Sequence, residues 1–182
     1  LTTFELWFGI PYRLSQICAS LAEGRLSASP IPPVENTGTS KADDLDRLRT
    51  EYARREDRLA GQNVNSLLNP GQLYLIQQRQ RELLSLFRRE GFESLSDKRI
   101  LEVGCGSGGV LRELSWIGAK PTLLNGVELL DWRLAEAKTA TPNLPLVNAD
   151  GRYLPYADHS FDLVLQFTVF SSILDEEVKQ AV

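Results

Sequence analysis

The chain has 182 residues, 42% hydrophobic and 24% charged, the mix of a folded globular protein rather than of a disordered or collagen-like one. Its 20 basic and 24 acidic residues leave a net charge of −4, without the basic surplus that grips a phosphate backbone, so nucleic acid is not an expected partner. Cys18 and Cys105 lie far apart and make no metal spacing, which argues against a disulfide framework or a metal site and fits a reducing cytoplasm.

No stretch reaches the roughly 18 uninterrupted apolar residues of a membrane span, so no stable membrane insertion is expected. The chain contains no methionine and begins at Leu1, as expected of a piece of a longer protein. Residues 1–40 read as a poorly ordered lead-in followed by a linker. Within them Leu14, Ile17 and Leu21 keep helical spacing and predict a short amphipathic helix around 12–23. Glu5, Pro11 and Arg13 interrupt the apolar stretch that a secretory signal needs. The run SASPIPPVENTGTS over 27–40, with three prolines among small polar residues, has linker composition.

Residues 41–96 have the texture of helix. Leu45, Leu48, Tyr52 and Leu59 fall at helical intervals, and the interleaved acids and bases read as a solvated face. Asn69-Pro70 predicts a second helix start, Leu73, Ile76, Leu83, Leu84 and Phe87 its apolar stripe, and Gly91 its stop.

From residue 97 to 182 the rhythm becomes strand–helix–strand. Arg99–Val103 predicts a first strand, and Val110, Leu111, Leu114 and Ile117 a helix ending at Gly118. Thr122–Glu128 predicts a second strand and Asp131–Ala140 a second helix, with Asp131 as its N-cap. Leu146-Val147 is a brief third strand, Phe161–Phe167 a fourth that reads as buried on both faces, and a further helix begins near Asp175. Alternating strands and helices imply an α/β fold, a Rossmann-like doubly wound parallel sheet.

The strongest chemical signal is Glu102-Val103-Gly104-Cys105-Gly106-Ser107-Gly108-Gly109, between a strand and a helix. Glycines let the backbone turn sharply and bring a ligand against the main chain, and the following helix offers unpaired N–H groups. Gly104, Gly106 and Gly109 also satisfy the dinucleotide pattern GxGxxG, which leaves a nicotinamide-dependent oxidoreductase as an alternative. Glu102 at the strand end repels a nearby pyrophosphate but suits a cationic amino-acid headgroup. Glu128 after the second strand can accept from both hydroxyls of a ribose, and Asp150 after the third can accept from the exocyclic amine of an adenine. Each also has a plain structural reading. Glu102 can serve a helix dipole, Glu128 can be a solvated strand-end acid, and Asp150 before Gly151 is a turn former. Cys105 reads as a small core side chain rather than a nucleophile, and His159 as a surface residue.

ILEVGCGSGG, GVELLDWRLAEAK and NADGRYLPYADHSFDLVLQF together resemble the class I S-adenosylmethionine-dependent methyltransferases, in particular the methyltransferase type 11 group, over about residues 99–175. The helices over 41–96 resemble the N-terminal lid of some bacterial members. The resemblance implies S-adenosyl-L-methionine as cofactor. Gly104, Gly106 and Gly108 would line its methionine part, and Glu102 would steady the loop or the amino group. Glu128 would hold the ribose, Leu129 pack on the adenine, and Asp150 with the Gly151 backbone contact the adenine edge. Gln166 joins the cofactor-binding set by position and, with Thr168 and Tyr153, faces the acceptor side. No residue is singled out as a general base. The implied reaction moves a methyl group to a small-molecule, lipid or glycan acceptor. A non-catalytic binding module of the same fold is the other alternative.

The family sheet has seven strands and four are legible, so a further stretch of about 80–100 residues is expected beyond Val182. In the family order the four would pair as 3-2-1-4. FDLVLQF would then be a bare edge, and this chain by itself would self-associate through it.

Overall fold

The computed structural model describes residues 3–6, 41–62, 64, 66–167 and 169. Strand β1 is Thr3–Leu6, helix α1 Lys41–Leu59, α2 Pro70–Arg89, β2 Ile100–Val103 and α3 Gly109–Ile117. A single 3-10 turn, Pro121–Leu123, leads into β3, Leu124–Glu128; α4 (Asp131–Ala140), β4 (Leu146–Asn148) and β5 (Leu163–Phe167) follow.

Local chemistry sets most of these boundaries. Asn69 caps α2, its side-chain oxygen accepting from the N–H groups of Gly71 (3.0 Å) and Gln72 (3.4 Å), and Pro70 takes the first helical position. Arg88 and Arg89 sit in the last turn, where the helix dipole favours cations. Gly91 then adopts φ 75°, and the Phe92 N–H returns to the Phe87 carbonyl at 2.8 Å, closing the helix. Gly118 ends α3 in the same left-handed way.

The sheet runs β1-β5-β2-β3-β4 and every pairing is parallel. Its side chains alternate between two unlike faces. Ile100, Leu124, Leu163 and Leu165 face a core built with Leu83, Leu86 and Phe87 of α2, Val110, Leu111 and Leu114 of α3, and Leu134 and Ala137 of α4. On the other face Leu101, Val103 and Val127 pack against Leu154, Tyr156, Phe161, Val164 and Val169, most of them from the loop after β4. The Tyr156 and Phe161 rings meet edge to face at 4.9 Å there.

The βαβ rhythm over 97–167 and the relative order β4-β3-β2-β5 are as expected, but the strand expected from Thr122 starts at Leu124, after the 3-10 turn, and three further details differ. The last strand starts at Leu163 instead of Phe161, because Asp162 closes the mouth of the β2–β5 pair. Its carboxylate accepts from the Arg99 N–H at 2.7 Å while its own N–H donates to the Arg99 carbonyl at 2.9 Å. Asp131 is not the N-cap of α4: Leu130 holds that position, and Asp131 lies one residue inside, in the first turn. Finally, β5 is not a bare edge. Thr3–Leu6, within the stretch expected to be a poorly ordered lead-in, pairs with it in the register Thr3↔Val164 to Leu6↔Phe167 and takes up its outer hydrogen-bonding groups. The helix expected around 12–23, the linker over 27–40 and the helix from Asp175 lie outside the described residues.

Gly126 in β3 shows how tightly the principal core is filled. A Cβ there would meet Leu146 Cδ2 at 2.7 Å, Cys105 Sγ at 2.8 Å and Leu111 Cδ1 at 2.9 Å. Side chains from β4, α3 and the turn after β2 would have to give at once. Gly126→Ala is expected to cost about 1–3 kcal/mol by overpacking. Thermal denaturation checks this, and a melting temperature equal to wild type would show a core looser than these contacts imply.

Candidate functional site

The site forms where β2, β3 and β4 end. Past Val103 the chain turns through Gly104 (φ 72°), Gly106 (φ 54°) and Gly108 (φ 76°), three left-handed residues within five. Side chains are strained in this region, and a Cβ on Gly104 would also collide with the Val169 side chain. The N–H groups of Gly104 and Cys105 both donate to the Val127 carbonyl, at 2.8 and 3.0 Å, which pins the loop to the end of β3.

Glu128, 6% exposed, completes that attachment. Its Oε2 accepts from the Gly106 N–H at 2.8 Å and its Oε1 from the Leu130 N–H at 2.9 Å. A carboxylate has about four acceptor sites, so these two bonds leave capacity for a pair of hydroxyls. The Asn148 side-chain amide donates to the carbonyls of Glu128 and Leu129, at 3.0 and 3.2 Å, and so joins the end of β4 to the same turn.

Glu102 is 2% exposed, and its Oε2 has no hydrogen-bond partner among the described residues. Burial pushes its pKa well above the usual carboxylate range, and the nearby carboxylates of Glu113 and Glu128 push the same way. Arg79 of α2 and a hydrogen bond from the Leu111 backbone, in the first turn of α3, oppose them. Arg79 is itself engaged: it pairs with Glu113 and lies 5.9 Å over the Phe167 ring. Sequence reasoning missed Arg79, since nothing local marks a residue that meets its carboxylate partner 34 positions away.

Asp150 is held by a neighbour that sequence reasoning also missed. Arg152 donates from its backbone N–H to Oδ1 (3.0 Å), from Nε to Oδ1 and Oδ2 (3.0 and 2.8 Å) and from Nη2 to Oδ2 (2.6 Å). The Tyr153 N–H returns to the Asp150 carbonyl at 2.9 Å, so the turn reading of this segment is met as well. Gly151 is half-buried, and a Cβ there would approach Val103 Cγ1 to 2.9 Å.

Leu129 is half-buried beside Glu128, and Gln166 is buried opposite Val103 in the β2–β5 register. The structure thus gathers Glu102, Gly104, Gly106, Gly108, Glu128, Leu129, Asp150 and Gly151 around the carboxyl ends of three adjacent strands. Tyr153 and His159 are exposed, and Thr168 lies outside the described residues. Cys105 faces the core, where burial, aided by the charges of Glu102 and Glu128, pushes its thiol up to about 12. Among the described residues no cluster of three His, Cys, Asp or Glu could hold a metal, and no helix is long and apolar enough to cross a membrane.

A parallel sheet with a glycine turn and strand-end carboxylates defines the Rossmann-like class that binds a nucleoside-bearing cofactor at the carboxyl edge. Residues 100–182 match the family model of the methyltransferase domain. It is 32% identical to phthiotriol/phenolphthiotriol dimycocerosates methyltransferase 1 of Mycobacterium ulcerans over 108 residues, 54% of this chain and 40% of that protein. Over 82 residues it is 35% identical to malonyl-[acyl-carrier protein] O-methyltransferase of Legionella pneumophila, 43% of this chain and 28% of that protein. The match therefore spans less than half the length of either relative. In fold it is similar to magnesium protoporphyrin IX methyltransferase of Synechocystis PCC 6803 with bound SAM: TM-score 0.55 at 20% identity, over 79% of this chain and 71% of that one.

Two outcomes follow from the buried groups. A carboxyl whose pKa rises on folding holds its proton more tightly folded than unfolded, so stability is lost as pH climbs from the ordinary glutamate range toward the raised value. Glu102→Gln has no proton to lose and is expected to melt above wild type at about pH 8 and to lose that advantage at about pH 4. Melting curves at the two pH values check it, and an advantage independent of pH would place the Glu102 proton elsewhere. For Cys105, a thiol at about 12 leaves about one thiolate in ten thousand at pH 8. Mass spectrometry of the Cys105 peptide should show negligible alkylation in native protein and full alkylation in denaturant. Rapid native labelling would contradict the burial.

Proposed function

We propose that this chain carries the cofactor half of a methyltransferase that binds S-adenosyl-L-methionine and passes its methyl group to a small-molecule, lipid or glycan acceptor. The observation that carries this reading is the buried carboxyl of Glu102, with one oxygen unpartnered among the described residues, beside a glycine turn held by a second buried carboxylate, Glu128. A phosphate-bearing dinucleotide gains nothing from a buried carboxyl, whereas an ammonium group would favour the charged form of Glu102 that burial disfavours. A cofactor that presents an ammonium, a ribose and an adenine but no phosphate fits this donor and acceptor set.

Within that reading the free Oε2 of Glu102 accepts from the ammonium, and the turn at Gly104, Gly106 and Gly108 leaves main chain bare beside the methionine portion. Glu128 offers its remaining acceptor capacity to the ribose while it holds the loop. Leu129 supplies apolar surface to the adenine, Asp150 and the Gly151 backbone its polar edge, and Gln166 closes the set from β5. When bound, the cofactor brings an already activated methyl group. The work left to the chain is to hold that group at the right approach angle and exclude water. Residues 41–96 act as a lid over this edge, and 97–182 as the beginning of the cofactor domain.

The curated relatives act, by their names, on dimycocerosate lipids and on a malonyl acyl-carrier protein, which supports an acyl or lipid acceptor among the classes above. The exposed apolar side chains Leu67, Leu68, Leu73, Tyr74 and Leu75, at and after the turn between α1 and α2, suit such an acceptor. Both of these relatives are methyltransferases, which favours this reading over a nicotinamide-dependent oxidoreductase.

Calorimetry with S-adenosylhomocysteine and with NAD tests the proposal. S-adenosylhomocysteine should bind and NAD should not, and the reverse order would overturn the assignment. Glu128→Ala should weaken S-adenosylhomocysteine binding about tenfold or more, since charge-assisted hydrogen bonds contribute roughly 1.5–3 kcal/mol each. Unchanged affinity would remove Glu128 from the site.

A further inference from the structure

Helix α1 meets two arginines that follow the carboxyl ends of β3 and β4. Toward its C-terminal end, Glu56 accepts from Arg133 Nε at 3.0 Å, and the Arg133 guanidinium lies 4.8 Å over the Tyr52 ring. Arg133 belongs to the first turns of α4, just after β3. At the N-terminal end of α1, Asp44 Oδ2 is 3.3 Å from Nη1 of Arg152, in the turn after β4. The second contact is the more deeply set, with the Arg152 side chain 6% exposed and Asp44 13%, against 27% and 40% for Arg133 and Glu56. Oδ1 of Asp44 is taken by Arg47, at 2.7 and 3.0 Å, which leaves Oδ2 facing Arg152.

Nε and Nη2 of the Arg152 guanidinium face Asp150. Oδ1 accepts from the Arg152 N–H and Nε, and Oδ2 from Nε and Nη2. Three N–H groups of one residue, with the Nε–H shared between both oxygens, thus crowd this carboxylate. An exocyclic amine that reaches Asp150 competes there with the Arg152 donors. A guanidinium this deeply buried needs a carboxylate partner, and the other one in reach is Asp44.

We propose that Arg152 is a positioning residue that trades hydrogen bonds between Asp150 and Asp44, so that an adenine amine arriving at Asp150 drives the guanidinium onto α1 and fastens the helix over the site. This rests on the S-adenosyl reading of the site. Ligand occupancy and helix order become linked because both draw on one buried cation. The Glu56–Arg133 pair holds the other end of α1 in either state, so the motion is confined to the Asp44 end.

Hydrogen exchange read by mass spectrometry, with and without S-adenosylhomocysteine, tests the trade on the α1 peptide, with the α3 peptide as internal reference. In wild type, saturating ligand should slow α1 exchange by about tenfold, the worth of one strengthened charge-assisted contact. Asp44→Asn should still bind ligand but lose that slowing, while Arg47→Gln, which removes the other partner of Asp44, should keep it. Equal slowing in wild type and Asp44→Asn, or loss of slowing in both variants, would overturn the proposal. Binding by calorimetry without any slowing in wild type would overturn the trade alone. No binding at all would overturn the cofactor reading and the trade with it.

Discussion

One carboxylate holds the functional edge of this protein together. Glu128 ends β3, accepts from the Gly106 N–H on one side and from the Leu130 N–H on the other, and is almost wholly shielded from water. The first bond fixes the middle of the glycine turn, and the second fixes the entry into α4. Two separate loops therefore take their positions from a single side chain. Because both partners are main-chain groups, the arrangement survives changes of neighbouring side chains but not loss of the carboxylate. The Asn148 amide extends the attachment to β4 through the carbonyls of the same turn.

Around that point the charge is unusually one-sided for a buried place. Glu102, Glu113 and Glu128 come together within influence of one another, and Arg79 is the cation that answers them from α2. Unbalanced burial of this kind weakens the fold, and such sites are retained where a ligand supplies the missing charge. The same imbalance distinguishes the readings of a GxGxxG turn. A pyrophosphate wants the N–H groups of the helix N-terminus for its own oxygens, and here a buried glutamate already accepts from the Leu111 backbone in the first turn of α3.

The two sheet faces are covered differently, and this places the site. Three helices pack on one face, while a loop running from Ala149 to Phe161 covers the other. That loop carries Asp150 and Arg152 at its start, so apolar packing of Leu154, Tyr156 and Phe161 against the sheet also sets the reach of the polar pair. At the open side of the sheet β1 pairs along β5, so the strand with the most apolar sequence is not left with unpaired backbone groups.

The sequence by itself determined the parallel αβ order, the cap at Asn69-Pro70, the stop at Gly91, the glycine turn after β2 and the acids at three strand ends. All of these depend on contacts within a few residues: hydrophobic period, capping chemistry and left-handed turns are properties of short segments. What only the tertiary structure decided are meetings across long separations. Thr3–Leu6 as a partner for β5, Arg79 beside Glu102, and Asp44 against Arg152, 108 positions apart, have no local signature. The role of Glu128 divides along the same line. Its place at a strand end could be read from the pattern, but its two bonds to the backbone could not, because they exist only once the turn after β2 has folded back against β3. A carboxylate's surroundings, and hence its charge and its partners, are set by which chain segments close over it.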